Sequence, residues 1–151
     1  VRGLMEASFV VHKLSAIYET EPVGIDSDKK FLNMVAEIHV TNVTPSQMMA
    51  RMMRIEYLLG RTDKSLKNPR TIDLDLLLFG DTIVETELLT LPHPRLHLRR
   101  FVLKPLAKIA PNLVHPVLNQ EIADILEDLD DPSEVIRWNP NGVSNHTEER
   151  A

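Results

Sequence analysis

The chain has 151 residues, 43% of them apolar and 26% charged, with a formal net charge of −5. That suits one soluble domain with enough apolar side chains for one core, and the bulk charge argues against nucleic acid as a partner. With no cysteine, disulfides and thiolate metal sites are excluded; no apolar run approaches bilayer length and no signal-peptide pattern opens the chain, so a cytoplasmic location is expected.

The first residue is Val1, not Met, so a processed, truncated or incomplete N-terminus is expected. Residues 9–20, FVVHKLSAIYET, are rich in β-branched and aromatic side chains and predict a strand. A turn-like segment with Pro22, Gly24 and Asp26 follows. Residues 31–40, FLNMVAEIHV, alternate as a second strand that pairs with the first in an antiparallel, hairpin-like unit.

The clearest helix is predicted over 44–59. Thr44 and Gln47 make a capping box, and Pro45 suits the first helical position. Met48, Met49, Met52, Ile55 and Leu59 supply an apolar face, and Gly60 offers a left-handed end. The helix methionines, Met53 included, read as adaptable core filler. A polar, basic loop spans 60–69, and 71–79 reads as a buried strand. A short strand at 82–84 follows the Gly80-Asp81 turn. Residues 98–109 are compatible with helix or extended chain, and 120–128 form a helix with an acidic face. The polar stretch 139–151 is expected to be a disordered tail to a single domain over 1–138.

Within this plan the chemistry concentrates in NPRTIDLDLLLFGD, residues 68–81. On a strand, Asp73 and Asp75 point to the same face, where two carboxylates repel unless a cation sits between them. Hard oxygen ligands suit Mg²⁺ shared with substrate phosphates, so the pair suggests a metal-dependent phosphoryl-type transfer using a nucleotide. The plainer alternative is a solvated acidic strand face. Positive charge is local: Arg61, Lys64, Lys67 and Arg70 in one cluster, Arg95, Arg99 and Arg100 with His93 and His97 in another. Arg70 can meet phosphates bidentately or pair with Asp73. Glu56 can approach a nucleotide or pair with Arg61. Tyr18, Phe31 and Phe101 can stack on a planar ring or belong to the core, and Asn33 can read a heterocycle edge or bond the backbone. No glycine-rich phosphate loop is present, so a nucleotide is held by another device.

These residues resemble the 6-hydroxymethyl-7,8-dihydropterin pyrophosphokinases of folate biosynthesis. NPRTIDLDLLLFGD matches the signature of that family, and YETEPVG at 18–24, FLN at 31–33 and LPHPRLHLRRFVLKPLAKIAPNLVHP at 91–116 agree in order. The resemblance implies a ferredoxin-like α/β (α+β) sandwich with an antiparallel sheet. The implied activity moves the diphosphate of ATP to the pterin hydroxymethyl group and releases AMP. It further implies two Mg²⁺ ions on Asp73 and Asp75 and ATP as co-substrate, with Arg70, His93 and Arg99 at the phosphates. Glu56 and Arg61 would lie near the nucleotide, and Thr20, Val23, Phe31, Asn33 and Phe101 at the pterin. Residues 60–67 resemble a lid over ATP. Family members open on a strand ending in Gly-Ser-Asn and a helix, which nothing in residues 1–8 matches, so a first strand is expected to be missing. Lys67-Asn68 stands where some members carry Trp-Gly. A monomer acting on small molecules, with no nucleic acid or membrane partner, is expected. The alternatives are a degenerate relative that binds without turnover and a general Mg²⁺-dependent nucleotidyl transferase.

Overall fold

The protein is described by a computed structural model, which covers residues 8–21, 31–62 and 72–140, with the side chains of residues 61 and 62 excepted. In chain order the elements are β1 (Ser8–Leu14), β2 (Tyr18–Glu21), β3 (Phe31–Asn33), β4 (Ala36–Thr41), α1 (Pro45–Thr62), β5 (Val84–Glu85) and β6 (Thr90–Leu91). A 3-10 turn at Leu96–Leu98 then precedes α2 (Arg100–Ile109), α3 (Ile122–Asp128) and β7 (Glu134–Arg137). The class is α+β with antiparallel pairing, as expected. Two compact units are formed, one by residues 1–9 and 40–94 and the other by 10–39 and 95–151.

In the second of these units the two predicted strands are present but each is broken once. β1 and β4 form one ladder, and β2 and β3 lie in another. The breaks face each other: the Ser15 N–H donates to the Val35 carbonyl at 2.8 Å, and the Val35 N–H donates to Ser15 Oγ at 2.9 Å. Both residues are buried. A side-chain hydroxyl thus replaces one ladder acceptor, and the ribbon continues with Tyr18 opposite Asn33 and Thr20 opposite Phe31.

The other edge of β2 is taken by β7, with Thr20 opposite Val135. Around this three-stranded sheet the buried residues include Tyr18, Val135 and, from the helices, Leu103, Leu106, Ile122 and Ile125. Helix α2 resolves the ambiguity of 98–109 in favour of helix from Arg100 onward. Its first N–H is capped from far along the chain, since Arg100 N–H donates to Asp131 Oδ2 at 2.9 Å. Burial pushes the Asp131 carboxyl up, but the N–H groups of Arg100 and Ser133 and the Arg100 charge outweigh it and hold it below its ordinary value.

In the first unit the capping box forms as its residues dictate. Thr44 N–H donates to Gln47 Oε1 at 2.9 Å, and Gln47 N–H donates to Thr44 Oγ1 at 3.1 Å. Three expectations for α1 need correction. Gly60 does not end the helix, which runs on to Thr62. Met48 and Met52 are buried, but Ile55 and Leu59 on the same face are exposed, as is Met53. Helical spacing decides which residues share a face; whether anything covers that face is decided elsewhere.

Residues 71–79 also depart from expectation. Among the described residues, 72–79 join no strand ladder, and none of them is buried. A strand is defined by its partners, and here the Leu77 carbonyl accepts one N–H, from His93 at 2.8 Å. The turn at Gly80-Asp81 is present, with Gly80 at φ +56° and Thr82 N–H donating to the Phe79 carbonyl at 3.0 Å. The short strand after it starts two residues later than predicted and pairs with β6.

Candidate active site

The acidic segment is fastened to a helix. Glu56, on α1, accepts the Leu74 N–H at 2.8 Å, which fastens the residue between the two aspartates. Asp73 and Asp75 are exposed while Leu74 and Leu76 are half-buried. Neither aspartate has a hydrogen-bond or ion-pair partner among the described residues. Two adjacent acceptor-only groups with free lone pairs are a donor set that fits a hard divalent cation. This bond to the Leu74 backbone is neither of the two alternatives that the sequence offered for Glu56, a nucleotide or Arg61.

Beside this segment lies an open cleft of about 260 Å³. Asp75, Met49, Leu74 and His93 line it, together with Glu87. Glu87 carried no signal in the sequence, since it belongs to the turn in which Thr86 N–H and Oγ1 both donate to the Leu89 carbonyl at 2.9 Å. His93 is set at the cleft by its N–H bond to Leu77, just after a cis Leu91-Pro92 peptide.

The residues expected at a planar ligand belong to the other unit. Phe31 is 54% exposed at the end of β3, directly across from Thr20. Thr20 is buried, and its Oγ1 finds no hydrogen-bond partner among the described residues. Asn33 is half-buried opposite Tyr18, and no hydrogen bond joins its carboxamide to another described residue. Near the start of α2 the Arg99 guanidinium lies over the Phe101 ring, 5.5 Å from its centroid, a cation–π contact that holds both. Arg100, by contrast, is spent on structure, donating through Nε to the Asp131 carbonyl at 3.0 Å as well as through its backbone.

Val23, Arg70, Lys64 and Lys67 lie outside the described residues, as do the Arg61 side chain and most of the loop at 60–67. Sequence reasoning missed buried His115, which meets the half-buried His97 in the second unit. His115 Nδ1 accepts N–H groups of Val117 at 3.2 Å and Leu118 at 3.1 Å. Its Nε2 is left without a partner among the described residues, as is His97 Nδ1. The two rings meet edge-on with centroids 6.0 Å apart. Burial first, and the neighbouring His97 second, push the His115 pKa down. Two donors aimed at Nδ1 also leave no room for a second ring proton.

Residues 1–111 match the family model described as 7,8-dihydro-6-hydroxymethylpterin-pyrophosphokinase (HPPK). The chain belongs to that family. It is 48% identical over 103 residues to the 2-amino-4-hydroxy-6-hydroxymethyldihydropteridine pyrophosphokinase of Bacillus subtilis, an alignment that covers 68% of this chain and 61% of that protein. It is 36% identical over 126 residues to the protein of the same name from Haemophilus influenzae, covering 83% of this chain and 77% of that one. Against the "Folic acid synthesis protein fol1" of Schizosaccharomyces pombe it is 42% identical over 124 residues, 82% of this chain but 16% of that protein.

Proposed function

We propose that the protein transfers the diphosphate of ATP to the hydroxyl of 6-hydroxymethyl-7,8-dihydropterin, with AMP as the other product, in folate synthesis. The observation that carries this is the pair of unpartnered aspartates, Asp73 and Asp75, in a chain of the HPPK family. In the reaction the pterin oxygen forms a bond to the β-phosphorus, the bond from that phosphorus to the oxygen of the α-phosphate breaks, and the hydroxyl proton is released. Phosphoryl-type transfer of this kind depends on positioning and on neutralising charge.

Asp73 and Asp75 would hold Mg²⁺, two ions in the fullest version of this reading; when bound, Mg²⁺ supplies charge neutralisation on the phosphates. Glu56 acts as a positioning residue, because its carboxylate fixes the backbone between the aspartates. His93, Arg99 and Arg70 are assigned to the ATP phosphates and Arg61 to the nucleotide. The unpartnered Thr20 hydroxyl and Asn33 carboxamide, with exposed Phe31, are assigned to the polar edge and flat face of the pterin, together with Phe101 and Val23. The same reading carries a ferredoxin-like sandwich over 1–138, a monomer, and a cytoplasmic location. Among the described residues no helix is long and apolar enough to cross a membrane.

The test is incubation with ATP, Mg²⁺ and the hydroxymethyl dihydropterin, followed by nucleotide chromatography. AMP formed in step with pterin diphosphate supports the reading. Release of pyrophosphate in place of AMP would move the protein to the nucleotidyl transferases. Ligand binding without either product would make it a non-catalytic relative.

A further inference from the structure

Three side chains far from the acidic segment in sequence converge on one face of the ladder formed by β1 and β4. Glu37 and His39 are two residues apart on β4, so they project from the same side. His12, on β1, stacks on His39 with ring centroids 4.2 Å apart and 18° between the planes. Glu37 Oε2 lies 2.9 Å from His39 Nε2. One ligand atom from each of the three lies within 4.8 Å of the other two. The two imidazoles are exposed and the carboxylate is half-buried, so an ion could reach them from solvent.

We propose that His12, Glu37 and His39 bind a divalent transition-metal ion, zinc by the chemistry of the set. Two imidazole nitrogens and one carboxylate oxygen are the protein ligands of open zinc sites, in which water takes the fourth position. The set is wrong for Mg²⁺, which demands an oxygen octahedron and parts reluctantly with its water. It therefore selects an ion different from the one assigned to Asp73 and Asp75. Tetrahedral zinc bonds of about 2.0–2.1 Å place ligand atoms roughly 3.3 Å apart, so the set must adjust from its present spacing, with Glu37 Oε2 and His39 Nε2 at 2.9 Å and all three atoms within 4.8 Å. Rotation of exposed side chains on two paired strands supplies that movement without disturbing the backbone. The ion would tie β1 to β4, and a ligand that binds only the folded chain raises its stability. Because His12 and His39 belong to separate strands, no short metal-binding motif marks the site in the sequence.

Calorimetric titration of the full, metal-free chain with ZnCl₂ tests the proposal. One equivalent is expected to bind in the micromolar range, with Mg²⁺ in large excess failing to displace it. His12→Ala and His39→Ala should each weaken binding roughly tenfold or more, and Glu37→Gln less, since each removes one of three ligands. Zn²⁺ should raise the melting temperature of the unaltered chain and not that of the double histidine variant. No saturable uptake, or equal uptake by the double variant, would overturn the site. Imidazole NMR of the unaltered chain asks the same question without a substitution. The first equivalent of Zn²⁺ should shift the resonances of His12 and His39, and shifts confined to other histidines would overturn it.

Discussion

At the scale of single residues, the division of labour among the carboxylates is the sharpest outcome. Glu56 is tied to a backbone N–H, while Asp73 and Asp75 are left with their lone pairs free among the described residues. Asp75→Asn keeps the size and loses the charge. We expect it to lower the rate of AMP formation by roughly 10²-fold or more while the melting temperature stays within a degree or two, because an exposed carboxylate contributes little to folding. Equal activity in the variant would remove Asp75 from the metal site. Glu56→Gln should lower the rate less, since the amide oxygen can still accept the Leu74 N–H.

His115 yields a pH prediction at the same scale. Its ordinary value is 6.5, and burial and His97 lower it in the folded chain. Between the folded value and 6.5 the unfolded chain binds a proton that the folded chain does not. Stability contributed by neutral His115 is thus present above 6.5 and declines as pH falls below it, levelling once the folded value is passed. Urea midpoints at descending pH should show this decline, and His115→Asn, whose carbonyl can accept the same two N–H groups, should flatten it.

At the scale of elements, two of the three α-helix starts among the described residues rest on side-chain caps, α1 on a local one and α2 on a remote one. Thr44 and Gln47 are three residues apart and cap α1 reciprocally, a pattern legible in the sequence. Asp131 caps α2 from beyond α3, which no local rule could reveal. Thr44→Ala and Asp131→Ala should each cost about 0.5–2 kcal/mol in denaturant unfolding, as lost caps do. They differ in pH response. The Asp131 carboxyl is held below 3.8, so its contribution is present above that value and is lost as pH falls through the lowered one. Acid unfolding should therefore separate the two variants, with Thr44→Ala keeping the wild-type acid limb.

The 71–79 segment shows the limit of local reading at this scale. Leu74, Leu76, Leu77, Leu78 and Phe79 have the composition of a central strand, yet composition cannot supply a ladder. With one backbone bond from His93 to Leu77, the segment joins no ladder and none of its described residues is buried.

For the whole molecule, the most consequential pairing joins distant parts of the chain. β7 closes the edge of β2 although it lies beyond the residues matched to the family model. Burial of Val135 alone is worth about 1.5–3 kcal/mol. Lys104 Nζ, which donates to the Val135 carbonyl, would lose its acceptor as well. A chain ended after Pro132 should melt several degrees lower than one ended after Pro140, with Tyr18 fluorescence reporting the exposed edge.

By itself the sequence determined what short-range physics decides: the capping box at Thr44, the strand character of 9–20 and 31–40, the turn at Gly80, and two aspartates whose spacing puts them on one side of an extended chain. It also determined the family, through blocks whose order survives in linear form. Only the tertiary structure decided what covers what and what faces what. Ser15 meeting Val35, Asp131 reaching Arg100, β7 closing β2, and His12 lying on His39 all depend on chain segments that approach only after folding. A contact between residues so far apart has no signature in local composition, because neither residue's neighbours carry information about the other's position.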